Sequence, residues 1–201
     1  MSSCEVREED RARTLASLQR FGIHPRVFLS PCNPAGARLN RENGLRALTW
    51  TQGNDALFLE DDIDLAPDFA DFLDLARDFD HLTWLYINDN PANAIGLYGA
   101  WLWREIENRK PIPPCLVKPG SYNGLWGAQC VYIPERHVAG ILAFDEPFAG
   151  AFDDLVKTYA EHAKIPVRIA LPSPVQHRHS RVGRAADDHP KRSLTFDLER
   201  A

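Results

Sequence analysis

Glu60, Asp61 and Asp62 follow directly on the apolar run 56–59, and Asp64 comes shortly after. A strand that runs from hydrophobic residues into adjacent carboxylates concentrates negative charge where open α/β sheets bind ligands, beyond the carboxyl ends of their strands. Such a cluster is costly unless a cation or raised carboxylate pKa values relieve it. On an extended segment alternate side chains share a face, so Glu60 and Asp62 are placed to share one ion while Asp61 faces elsewhere. Magnesium is commonly held by one or two carboxylates together with substrate phosphates, a recipe that suits a diphosphate-bearing ligand. The plain structural alternative is a solvated acidic turn. For Asp64 that alternative is preferred, as a charge favourable to the start of the next helix.

A second constellation lies in residues 172–184, PSPVQHRHSRVGR, where a short predicted strand ends at His177. An imidazole can complete a carboxylate–diphosphate metal site and shifts preference towards manganese. His179 is a further candidate, and Arg178, Arg181 and Arg184 suit phosphate oxygens. A basic surface tail with solvated histidines is the competing explanation. Asp153 and Asp154 stand at the predicted start of a helix, where the helix dipole already accounts for them. A carboxylate there is equally suited to act as a general base. In residues 122–129, YNGLWGAQ, glycines beside aromatics let backbone and ring faces approach a sugar. Asn123 and Trp126 are the lining candidates, against a tight turn with Trp126 in the core.

The elements that must position these groups alternate along the chain. Helices are predicted over 8–21, with Leu15, Leu18 and Phe21 on one side and Gly22 closing it, over 40–52, and from Pro67 onward with Phe69, Phe72, Leu73, Ala76 and Phe79 at helical spacing. Strands are predicted over 26–30, 55–60 and 82–87, and then the texture changes. Residues 110–119 read as an irregular proline-rich loop. A strand over 129–133, helices over 134–144 and 152–163, and a strand over 165–171 complete the pattern. This alternation predicts a mostly parallel sheet covered by helices on both faces. Few residues precede the first helix, so the opening strand is expected to be short or missing. A truncated or misassigned start, with residues 3–7 as a stub, is the favoured reading.

With 201 residues, 44% hydrophobic and 25% charged, the chain can bury one sizeable core. No apolar run approaches the ~18 residues needed to span a bilayer. The charged N-terminus lacks the apolar stretch of a secretory signal, so the cytoplasm is the expected location. Cys4, Cys32, Cys115 and Cys130 are widely spaced, fitting neither a zinc motif nor a disulfide framework. The net charge of −5 gives no global attraction for nucleic acid.

The segments NRENGLRALTW and NDALFLEDDIDLAPDF resemble the nucleotide-sugar-binding half of GT-A glycosyltransferases, and the L-E-D-D variant resembles the lipopolysaccharide-type enzymes. The resemblance implies a single Rossmann-like α/β domain over 1–201. Its nucleotide-sugar half would span 1–88 and its acceptor half 89–179, with a polar tail over 180–201. It implies that Glu60 or Asp61 touches the ribose, and that Asp62 meets the metal and diphosphate. Arg7, Arg41 and Asn43 would lie near the nucleotide, Asn123 and Trp126 near the sugar, and Arg181 near the diphosphate. His177 would join Glu60 and Asp62 in holding Mn²⁺ or Mg²⁺. Asp154, or else Asp153, would be the catalytic base. The expected partners are a nucleotide-sugar donor and an acceptor that could be a glycan, small molecule, protein or modified nucleic-acid base. The rival readings are a metal-dependent hydrolase built on the same carboxylates with His177 and His179, a two-carboxylate glycosidase, and a sugar-binding module.

Overall fold

The computed structural model describes residues 1–31, 37–79, 81–86, 115–117, 129–144, 150–170 and 173–178. Strand β1 (Ser2–Cys4) leads into helix α1 (Glu8–Gln19), followed by β2 (Phe28–Ser30) and α2 (Ala37–Trp50). Next come β3 (Ala56–Leu59), β4 (Ile63–Leu65) and α3 (Phe69–Phe79). Strands β5 (Thr83–Trp84), β6 (Cys115–Val117) and β7 (Cys130–Ile133) precede α4 (Glu135–Ala143) and α5 (Phe152–His162). Strands β8 (Val167–Ile169) and β9 (Val175–His177) close the described chain.

The central sheet has five strands in the order β3-β7-β5-β8-β6, and two-stranded sheets β1-β2 and β4-β9 accompany it. The fold is α/β, but the expectation of a mostly parallel sheet is corrected. Strand β7 runs antiparallel to both β3 and β5, β6 runs antiparallel to β8, and among the described residues of this sheet only β5-β8 is parallel. The cause of the misreading is physical. A central strand buried on both faces is a continuous apolar run whichever way it points, so hydrophobic pattern carries no direction. The edge strand β6 also corrects the reading of 110–119 as wholly irregular: Cys115–Val117 pairs with Val167–Ile169.

Side chains alternate across this sheet and build a core on each face. Ala56 and Phe58 of β3 and Val131 and Ile133 of β7 point to one face, where α2, α4 and α5 contribute Leu48, Ile141, Phe152 and Leu155. Leu59 and Tyr132 point to the other, with Leu18 of α1 and Phe69, Leu73 and Ala76 of α3. Leu15 and Phe21 pack beside Leu18, as their spacing predicts, and Gly22 ends the helical segment at a φ of 70°. Trp84 and Cys130 are fully buried, and burial pushes the Cys130 thiol well up from its ordinary range. Trp101 and Trp103 lie outside the described residues.

The opening strand is present and short. Ser2, Ser3 and Cys4 pair in parallel with Phe28, Leu29 and Ser30, and a turn follows to Arg7. Strand β1 delivers the chain to Arg7, the residue that caps α1, and this turn proves central to the site.

Candidate metal and phosphate site

Strand β3 ends at Leu59, and the chain enters the acidic stretch with Glu60 N donating to Gln129 O at 3.0 Å. Gln129 also donates from Nε2 to Glu60 Oε2 at 3.2 Å, so the residue before β7 orients this carboxylate. The chain then re-enters extended structure as β4, which runs antiparallel to β9. That register sets His177 opposite Ile63, one residue past Asp62, and Arg178 N donates to Asp62 O at 2.7 Å. A histidine far along the chain is thereby held against the acidic turn, its Nε2 3.3 Å from Asp62 Oδ2. Tyr86 packs beside the imidazole with ring centroids 6.1 Å apart.

Glu60, Asp62 and His177 each present one ligand atom, and these atoms all lie within 4.8 Å of one another. Two carboxylates and an imidazole suit Mn²⁺ or Mg²⁺ better than a soft-metal site of thiolates would, and three protein ligands leave positions for phosphate oxygens and water. The donor set therefore fits a divalent cation. Asp61 does not join the trio but turns to β1 and α1, through a bend at residues 61–62 rather than by alternation along an extended segment. Ser3 Oγ donates to Asp61 Oδ2 at 2.7 Å, and Arg11 donates to Ser3 Oγ at 3.0 Å.

Arg7 ties the two aspartates together. Its Nη1 lies 3.1 Å from Asp61 Oδ1 and 2.8 Å from Asp62 Oδ2, with the Asp61 and Asp62 side chains only 2% and 0% exposed. Burial by itself would lower the pKa of this guanidinium, but the carboxylates of Asp62 and Asp61 outweigh it and hold Arg7 above its ordinary range.

A second layer holds the backbone of the acidic turn. The Thr14 hydroxyl, fully buried on α1, donates to Asp61 O at 2.7 Å with Ile63 O at 3.1 Å. Arg178 is turned inward: its Nη2 lies 2.9 Å from Asp10 O and 3.1 Å from Asp61 O, and it donates to Thr14 Oγ1. Burial lowers the Arg178 pKa, and Asp64 only partly offsets that. This corrects the expectation that Arg178 serves phosphate, since its guanidinium clamps α1 to the turn. Asp64 is likewise not a helix-start charge. It sits in β4, where Arg13 and Arg178 approach Oδ1 at 3.3 and 3.6 Å.

The remaining candidates fall elsewhere. Asn43 is buried on α2 and donates to Ser2 Oγ and Phe28 O, each at 2.8 Å, bracing β1 and β2 from behind. Arg41 is half-buried on the same helix. Asp153 and Asp154 occupy the first turn of α5, and Lys157 of the same helix pairs with Asp154 at 3.0 Å. Phe152 N, at the start of that helix, donates to Asn40 Oδ1 at 2.9 Å. Asn123, Trp126, His179 and Arg181 lie outside the described residues.

Ser3, Thr14 and Gln129 were not picked out as site residues from sequence. Small neutral polar side chains have no spacing signature, and only the fold shows that all three meet the acidic turn. Among the described residues no helix is long and apolar enough to cross a membrane. No protein-family model matches the chain, and no curated protein matches it. What the molecule does has to be read from the chemistry of this site.

Proposed function

We propose that the chain is a metal-dependent glycosyltransferase that moves a sugar from a nucleotide-sugar donor to an acceptor hydroxyl. The observation that carries this reading is the convergence of Glu60, Asp62 and His177 at the end of β3, beside the Arg7 guanidinium. A cluster of two carboxylates, an imidazole and an arginine suits a ligand that brings both a cation and phosphate oxygens. Nucleoside diphosphate sugars are such ligands.

In the transfer the acceptor oxygen attacks the anomeric carbon, the carbon–oxygen bond to phosphate breaks, and the nucleotide diphosphate leaves with the electron pair. A divalent cation, Mn²⁺ or Mg²⁺, supplies Lewis-acid stabilisation of that leaving group when bound. Glu60, Asp62 and His177 hold the ligand geometry, and Gln129 fixes the orientation of Glu60. Arg7 lies close enough to the trio to meet a phosphate oxygen. Asp61, held by Ser3 and Arg7, anchors the turn and leaves its neighbours to the ligand. In an inverting transfer the acceptor proton passes to a carboxylate base, the role the family resemblance gives to Asp154; a retaining transfer is equally allowed.

The test is thermal stability against a panel of UDP-, GDP-, TDP- and CMP-sugars with and without Mn²⁺. One donor should stabilise the wild type only with metal, and Asp62→Ala should lose the shift. No shift with any donor, on protein folded by circular dichroism, would sink the transferase and favour a metal-dependent hydrolase.

A further inference from the structure

Two adjacent carboxylates that are almost wholly buried cannot both stay ionised without a cation close by. Here that cation is part of the chain: Arg7 Nη1 touches both Asp61 Oδ1 and Asp62 Oδ2. The oxygen it approaches most closely, Asp62 Oδ2 at 2.8 Å, is also the one His177 Nε2 approaches at 3.3 Å. Arg7 therefore sits on a carboxylate that the trio Glu60, Asp62 and His177 would offer to a divalent ion. A guanidinium and a metal ion on the same buried carboxylate compete, because both are cations and their repulsion is weakly screened there.

We propose that Arg7 is an internal counter-cation which gives up Asp62 when a divalent ion enters and turns to the phosphate oxygens that arrive with it. This rests on the metal and diphosphate reading of the site and adds a rule of binding order. Release of Arg7 from Asp62 leaves a guanidinium that needs a new acceptor, and the planar fork with its five donors matches a phosphate. Metal alone costs Arg7 its contact with Asp62 while the contact with Asp61 stays, whereas metal together with diphosphate replaces the contact that is lost. Cation and phosphate binding are thereby coupled through one side chain, and the coupling is reciprocal. Arg7 keeps Asp61 as its pivot, since Asp61 is also held by Ser3 and stands outside the trio.

The experiment is titration of the full chain with Mn²⁺ in phosphate-free buffer, free Mn²⁺ being read by electron paramagnetic resonance. The titration is repeated with inorganic pyrophosphate as the probe. Arg7→Met should bind Mn²⁺ alone about tenfold more tightly than wild type, and the gain from pyrophosphate should fall by a similar factor. Should Arg7→Met fail to fold without metal, Arg7→Lys carries the test. It keeps the charge but loses the fork, and its pyrophosphate gain should fall below that of wild type. Unchanged Mn²⁺ affinity in folded Arg7→Met, or an unchanged pyrophosphate gain in either variant, overturns the exchange. Asp62→Ala separates the two levels. If it abolishes Mn²⁺ binding, the site stands whatever Arg7 does; Mn²⁺ binding that survives it sinks the metal site and the exchange together.

Discussion

The chain contains the dipeptide Asp-Asp at two places of interest, and the fold treats them differently. Asp61 and Asp62 leave a buried strand and remain buried, 2% and 0% exposed, with Arg7 between them and His177 alongside. Asp153 and Asp154 stand half-buried in the first turn of α5, where exposed backbone N–H groups and the helix dipole favour a negative charge, and Lys157 sits one turn on. The first pair needs a cation to be tolerated at all. The second is comfortable as it stands. Their surroundings differ in the same way: the start of α5 is secured by packing, with Phe152 stacked 4.5 Å from Phe58, while the acidic turn is secured by hydrogen bonds and charge. Equal dipeptides thus sit in different electrostatic settings, and the pair whose burial depends on a bridging cation marks the place where a ligand cation can be stabilised most.

Substitutions can break this contrast, and the largest effect is expected at Arg7. Arg7→Met leaves two buried carboxylates without their bridging cation and should lower stability by about 3–5 kcal/mol in the presence of a chelator. Added Mn²⁺ should restore most of it; denaturant unfolding with and without metal checks both parts. Next comes Gly44→Ala on α2. A Cβ at that position would lie 2.3 Å from the Phe152 ring and 2.8 Å from its Cβ, so the start of α5 must shift. The expected loss is about 1–3 kcal/mol with Mn²⁺ affinity kept, which unfolding and a metal titration on one sample would show. Thr14→Val removes one of two donors to Asp61 O, leaving that carbonyl to Arg178, and takes from Arg178 its acceptor on Thr14, for about 1–2 kcal/mol in urea unfolding and weaker metal retention. The smallest effect is expected for Asp154→Asn, within about 1 kcal/mol by thermal melting, because its pair with Lys157 is partly exposed and short-range. Mn²⁺ binding should be untouched there. If Asp154 is the base, kcat falls while donor affinity holds.

Much of this was legible in the residues. Apolar spacing located α1, α2, α3, α4 and α5 to within a few residues, because each buries a stripe with helical period, as Phe69, Leu73 and Ala76 do. The residues alone give two separate signals, a strand ending in carboxylates and a second strand ending in histidine; their grouping as Glu60, Asp62 and His177 is what the family resemblance implies. Strand direction could not, since Val131 and Ile133 alternate with Cys130 and Tyr132 as apolar residues on both faces of the sheet. Strand β4 was hidden because Ile63-Asp64-Leu65 is too short to show a period, and it exists by pairing with β9. That pairing also decides Arg178, which residue chemistry offers to phosphate or to a solvated basic tail and the fold sends to Asp10, Thr14 and Asp61.

The central claim is tested most directly by anomalous X-ray diffraction from crystals grown with Mn²⁺ and the donor identified by thermal shift. The account predicts a single strong manganese peak among the Glu60 and Asp62 carboxylates and the His177 imidazole, with diphosphate oxygens completing its coordination and Arg7 turned from Asp62 to phosphate. A peak elsewhere, or none at saturating metal with Arg7 still bridging Asp61 and Asp62, would contradict it.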